Sequence, residues 1–315
     1  MGLILYWQVF FHKKIDFAQL QIALSQAWAG ANYYFLLISV LLMPLNWFLK
    51  LYKWLFVMRR YEFLTLWQGA KAILLGLTVS LFTPNRVGEY GGRLLLVKKE
   101  HRLIAVYATV VGNFAQWVVL CLFGTLGLLF LVYNKQNFSA TNLFWLNMLV
   151  CAGFLIFSIL LIAYFQHKRL FLLLNKFTFL RKYTEKISNQ LATQAKQGDD
   201  VHILFFAGLR YIVYTIQYLC FLCFFGLDNS FIHHLACINI IFFIQTGIPV
   251  PPATGLLVRA NVALWIFSQF NYNNLSELEI QTKVLAATFS LWLLNIFLPA
   301  LWGYWLLFRY SFNQK

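Results

Sequence analysis

Charge is what this sequence has least of. Only 11% of its 315 residues are Asp, Glu, Lys or Arg, against roughly 25% in soluble domains. The shortage falls on the acids, with 10 Asp and Glu against 25 Lys and Arg. A soluble enzyme surface cannot be built from that composition. With 61% hydrophobic and 19% aromatic residues, a mean hydropathy of +0.68 and several runs of 18 or more apolar residues, the chain reads as a polytopic membrane protein. The runs take up nearly all of its length and leave none for a separate soluble catalytic domain. Cysteine and histidine are also scarce. Cys121, Cys151, Cys220, Cys223 and Cys237 lie in or at the ends of apolar segments. Cys220 and Cys223 have the spacing of a redox motif but no second ligand pair, so they read as small apolar side chains. His233 and His234 are adjacent and point to different helix faces, which argues against a metal site. No cofactor, metal or catalytic residue is expected. Residues 2–11 are apolar but lack the basic start and small-residue cleavage site of a signal peptide.

The net charge of +15 could suggest nucleic acid, but the basic residues sit in short segments between apolar runs. That placement is the positive-inside pattern and excludes nucleic acid as the partner. Residues 2–11 are too short to span and read as a truncated first helix, followed by an interfacial stretch to residue 29. The first full span is residues 30–49, with Pro44 inside it, and Lys50, Lys53, Arg59 and Arg60 follow as a basic loop. Residues 64–82, 103–133, 143–165, 201–226, 235–248 and 283–308 are the further apolar runs. Residues 166–200 form a polar linker between two halves. Its front part, with Lys168, Arg169, Lys176, Arg181 and Lys182 among Leu and Phe, reads as a basic amphipathic helix on an anionic cytoplasmic leaflet.

One stretch carries most of the chemistry: Thr83-Pro84-Asn85-Arg86-Val87-Gly88-Glu89-Tyr90-Gly91-Gly92-Arg93. Thr83 can cap a helix and Pro84 suits its first turn. A helix begun there puts Arg86, Glu89 and Arg93 on one face, and its N-terminal N–H groups with the two arginines would bind an anion. Gly88, Gly91 and Gly92 permit close approach of another backbone or a ligand. Ionisable residues at membrane depth are expensive and are functional candidates, with a structural Arg–Glu staple as the plain alternative. Later in the chain Arg210, Tyr214 and Gln217 share a helix face, with Tyr211 and Tyr218 beside them. Asn113 and Gln116 share another, and Arg259 follows the break at Pro249-Val250-Pro251-Pro252.

Lys98, Lys99 and Arg102 follow Arg93 too closely for another crossing. The expected solution is a re-entrant hairpin, and the break at Pro249–Pro252 marks a second. With residues 50–62, 94–102, 166–200 and 309–315 on the cytoplasmic side, that side carries 16 Lys and Arg, against 4 in the opposite segments. The expected fold is all-α: one transmembrane domain over residues 1–315, a helix bundle with two re-entrant hairpins in an inverted repeat. The C-terminus is cytoplasmic in this topology.

The T-P-x-R-x-G-E-x-x-x-R pattern of Thr83–Arg93 resembles the signature of the lysylphosphatidylglycerol synthase transmembrane-region family, also called the flippase-like domain. Asn46-Trp47, Lys53-Trp54, Leu209-Arg210-Tyr211 with Gln217, and the break near Pro252 extend the resemblance from about Asn46 to the last span. The family's second break usually reads P-G-G-L-G-x-x-E; here Gly255 and Arg259 fit, and Ala260 stands where glutamate is expected. The resemblance implies movement of lipid between leaflets of a bacterial cell membrane, with aminoacylation belonging to a soluble domain that some members carry. A partner enzyme supplying the lipid would fit. The leading reading is a transporter binding an anionic phospholipid or lipid-linked phosphate through Thr83, Pro84, Asn85, Arg86, Gly88, Glu89, Arg93, Arg210, Tyr214, Gln217 and Arg259. A membrane-embedded transferase and a non-transporting scaffold are the alternatives. The transferase has only Glu89 as a carboxylate within the membrane, where such chemistry ordinarily needs a base and a metal-binding carboxylate pair. The sequence leaves lipid identity and oligomeric state open.

Overall fold

In the computed structural model, residues 17–30, 32–134, 140–173, 187, 198–227, 230–269 and 275–312 are described. Every regular element among them is helical. The elements are α1 Phe17–Ala29, α2 Tyr33–Met58, α3 Leu66–Ser80, α4 Gly88–Leu94, α5 Arg102–Asn134 and α6 Ala140–Phe165. They continue with α7 His167–Leu173, α8 Asp199–Phe224, α9 Phe231–Thr246, α10 Pro252–Phe267, α11 Glu277–Trp292 and α12 Leu298–Phe312. Five helical stretches are long and apolar enough to cross a membrane: Tyr33–Met58, Lys99–Asn134, Leu143–Phe165, Asp199–Phe224 and Glu277–Arg309. The expectations for residues 2–11, and for the amphipathic helix carrying Lys176, Arg181 and Lys182, fall outside the described residues.

Apolar length alone produces the long helices, and polar chemistry decides where they stop. Thr65 caps α3 and Ser276 caps α11, each with a capping box in which the residue three further on, Gln68 or Glu279, answers the cap's own N–H. The last run is interrupted by a π-helical segment, Leu293–Phe297. Pro299 explains it: lacking an N–H and crowding the carbonyl four residues back, it forces the preceding turn to widen. Pro44 is accommodated inside the unbroken α2.

α2 and α8 pack against each other, and the same order of neighbours recurs around each. α2 meets α3 and α5, α3 folds onto α4, and α4 meets α5; likewise α8 meets α9 and α11, α9 folds onto α10, and α10 meets α11. Each half is thus a long helix, a helical hairpin and a second long helix. The larger core lies between α5, α8, α9 and α11, around Tyr211, Tyr218, Leu222, Ile238, Phe267 and Leu291. A smaller one joins α2, α3 and α5 through Trp54, Met58, Ile73 and Ile104. The two hairpin tips touch: the Ala253 N–H donates to the Leu81 carbonyl at 3.1 Å. Leu143–Phe165 buries only 17% of its span, so this helix lies at the edge of the bundle.

Two sequence expectations are corrected. Lys50 and Lys53 are not in a basic loop, because α2 continues to Met58 and buries both. Asp199 and Asp200 are not the tail of a linker. They open α8, where Arg60 holds Asp199 through both guanidinium nitrogens, and Asp200 faces Lys168 at 3.6 Å.

Candidate functional site

The first hairpin closes tightly because two glycines let backbones touch. A Cβ on Gly92 would lie 2.6 Å from Gly76 Cα, and one on Gly88 would lie 2.5 Å from the Val79 carbonyl oxygen. Gly91, by contrast, has nothing within 4 Å. The stretch from Thr83 is not one helix. Pro84–Arg86 form a 3₁₀ turn, Arg86 takes the left-handed conformation at φ 58°, and α4 begins only at Gly88. The Gly88 N–H is taken by Thr83 Oγ1 at 2.8 Å, so Thr83 organises the turn rather than leaving N–H groups open. Asn85 lies within the 3₁₀ turn. Arg86 is exposed at the tip, whereas Glu89 and Arg93 point inward and are 1% and 3% exposed.

Around Glu89 the structure gathers four cations. Lys50 Nζ lies 2.6 Å from Glu89 Oε1, and Arg93 Nη2 donates to the same oxygen. Arg93 Nη1 also donates to Thr109 Oγ1 at 3.1 Å, and its guanidinium sits 5.6 Å from the centre of the Trp54 ring. Lys53 Nζ donates to the Gly112 carbonyl at 2.7 Å, and Arg210 Nη1 to Gln116 Oε1 at 3.2 Å. Lys50, Lys53, Arg93, Thr109, Asn113 and Arg210 line one narrow cavity. The groups acting electrostatically on Lys50 are Glu89, Arg93, Arg210 and Arg86, and those acting on Lys53 are Arg210, Lys50, Arg93 and Glu89. One carboxylate therefore faces a surplus of positive charge. Donors are in surplus too: the buried Nε atoms of Arg93 and Arg210 have no hydrogen-bond partner among the described residues.

A second cluster lies one turn along α8. Arg259, on the second hairpin and 4% exposed, donates to Tyr214 Oη and to Gln245 Oε1, both at 2.8 Å. Its guanidinium also lies 5.5 Å from the centre of the Phe242 ring. No described carboxylate pairs with it. Arg210 and Tyr214 are one turn apart on α8, so that helix joins the two clusters. Gln217 belongs to neither: its amide donates to the Ser39 carbonyl at 2.9 Å and clamps α8 to α2.

Thus Arg86, Glu89, Arg93 and Arg210 come together, Tyr214 and Arg259 form the adjoining cluster, and Thr83, Pro84 and Gly88 shape the hairpin turn. Lys50 and Lys53 are the members that sequence reasoning assigned elsewhere. Their signal was present, since Asn46, Trp47, Lys50, Lys53 and Trp54 share one helical face.

Fold and cluster together define an integral membrane protein of the all-helical class, with buried ionic chemistry at the junction of a helical hairpin and three long helices. Residues 2–257 match the family model of the lysylphosphatidylglycerol synthase transmembrane region, and the chain belongs to that family, whose function is related to membrane lipid. The match starts before Asn46 and ends before Arg259, so the extent read from motifs is corrected at both ends. No curated protein and no solved structure matches the chain.

Proposed function

We propose that this chain acts as one transmembrane domain that moves a phosphate-bearing lipid between leaflets of a bacterial cell membrane. The headgroup is held by Lys50, Lys53, Arg93 and Arg210, with Arg86 at the rim and the Thr83–Gly88 turn as its frame. The observation that carries this reading is the cluster's imbalance: four inward-facing cations, one carboxylate, and unpartnered donors lining a cavity. Burying so much positive charge is costly unless something anionic visits it. The acyl chains stay in lipid, so only the headgroup needs a polar route past Asn113 and Gln116. Arg259 and Tyr214 offer a second station, reached from Arg210 along about 6 Å of α8. In this reading both hairpins are re-entrant, entering from opposite sides as an inverted repeat. The C-terminus is cytoplasmic, and a partner enzyme supplies the lipid.

The test is headgroup accessibility in liposomes containing purified protein, read with a fluorescent anionic phospholipid and a membrane-impermeant quencher. Wild type is expected to speed transbilayer exchange, and Arg210→Gln and Arg86→Ala to abolish it while eluting as folded protein. Exchange undiminished in both variants would reduce Lys50, Glu89 and Arg93 to a structural staple. No exchange of any lipid class by folded wild type would overturn the translocation reading.

A further inference from the structure

We propose that the headgroup recognised at this cluster is polyanionic, of the lipid diphosphate class, rather than a singly charged or amine-bearing phospholipid. The proposal rests on the functional reading above and narrows it to a substrate class. Two independent features of the cavity support it.

The first is charge. Lys50, Lys53, Arg93 and Arg210 set four basic side chains around the single carboxylate of Glu89, and Arg86 is a further basic side chain, exposed at the hairpin tip. A phosphodiester headgroup with one negative charge leaves most of that surplus uncompensated. An aminoacylated phosphatidylglycerol would be worse matched, since its ammonium cancels its own phosphate and adds a cation to a cluster already rich in them. A diphosphate monoester brings two to three negative charges on one compact group and comes closest to neutralising the surplus.

The second is hydrogen bonding. Buried donors stand open at the cluster: Arg93 Nε and Arg210 Nε have no partner among the described residues, and the Lys53 ammonium uses one donor on Gly112. Of the acceptors nearby, Thr109 Oγ1 accepts from Arg93, Gln116 Oε1 from Arg210, and Glu89 Oε1 from both Lys50 and Arg93. A ligand for such a site must be rich in acceptors and poor in donors. Phosphate oxygens meet guanidinium forks with matching geometry. An amine would meet more cations than acceptors.

The experiment is isothermal titration of detergent-solubilised protein at fixed ionic strength with geranyl diphosphate, geranyl monophosphate, inorganic diphosphate and a short-chain phosphatidylethanolamine. Geranyl diphosphate is expected to bind at least about tenfold more tightly than the monophosphate. That preference should shrink in Arg210→Gln and in Lys53→Met, two variants so that one misfolded protein does not decide the outcome. Equal affinity for the two geranyl phosphates, or effective competition by phosphatidylethanolamine, would overturn the proposal. Inorganic diphosphate binding as tightly as geranyl diphosphate would overturn a lipid as the source of the anion. Binding is read without transport, so a chain that fails to move lipid can still show the charge preference. Translocation without any charge preference would remove this inference alone.

Discussion

Replacing Glu89 by glutamine keeps the side chain's shape and removes the carboxylate shared by Lys50 and Arg93. Breaking a buried ion pair by deleting one partner costs about 3–5 kcal/mol, because the remaining charge stays buried without compensation. Here one deletion strands two cations, so the upper end applies, about 5 kcal/mol. Folded domains hold only about 5–15 kcal/mol in total, and about 2–4 °C of melting temperature accompanies each kcal/mol in a chain of this order of size. Glu89→Gln should therefore melt about 10–20 °C below wild type by intrinsic tryptophan fluorescence in detergent. The second arm is Lys50→Met in the same background, which removes one cation with the one anion and restores the original charge difference. If the pair is coupled, the double variant should lose at least about 1–2 kcal/mol less than the two single losses added. A Glu89→Gln melt within about 2 °C of wild type, or strict additivity with Lys50→Met, would refute the argument that this carboxylate holds the cluster.

Gly92→Ala should destabilise by about 1–3 kcal/mol, because its Cβ meets the backbone of Gly76 and the hairpin must open; Gly91→Ala, with open space around it, should melt like wild type. Arg259→Met should leave the melting temperature nearly unchanged, since a long apolar side chain replaces a buried guanidinium without a carboxylate, yet it should slow lipid exchange in the liposome assay. His167, beyond the end of α6, donates from Nδ1 to the Tyr164 carbonyl and accepts at Nε2 from the Tyr107 hydroxyl, each at 2.6 Å. Burial lowers its pKa, while the Tyr164 hydrogen bond and Asp200 oppose the shift. Below its ordinary value the unfolded chain binds a proton that the folded chain refuses, so stability falls as pH drops through about 6.5 and on towards the folded value. Melting curves from pH 7.5 to 5 should show that fall, and His167→Gln should flatten it.

The class of protein was legible because composition is a bulk property: too little charge and too much apolar length permit only a membrane bundle. The hairpin turns were legible for a local reason. Pro84, Gly88 and Gly92 in one case and Pro249–Pro252 in the other cannot sit mid-helix without breaking it or drawing another backbone close. What sequence reasoning could not see was where α2 ends. Lysines after an apolar run look the same whether the helix stops at them or carries them inward, and charge counting assigned Lys50 and Lys53 to the membrane surface. Only the partner decides, and Glu89 is 39 positions away from Lys50 in the chain. Arg86 was misjudged for a related reason. An arginine gives no sign of left-handed backbone, so a continuous helix from Thr83 was the natural expectation, and the chain instead breaks at Arg86, φ 58°, with that residue exposed.

The two hairpins gain meaning from where they meet. The tip of a helical hairpin leaves unpaired backbone groups, and where it is buried these must be answered by protein or water. Here one tip answers the other, since Leu81 accepts from Ala253, and Trp292 Nε1 donates to the Pro252 carbonyl at 3.0 Å. The same junction is where α8 presents Arg210 to one cluster and Tyr214 to the other. Moving one tip away from the other would break the Leu81–Ala253 hydrogen bond. A rigid staple would gain nothing from keeping Arg259 buried without a carboxylate beside it.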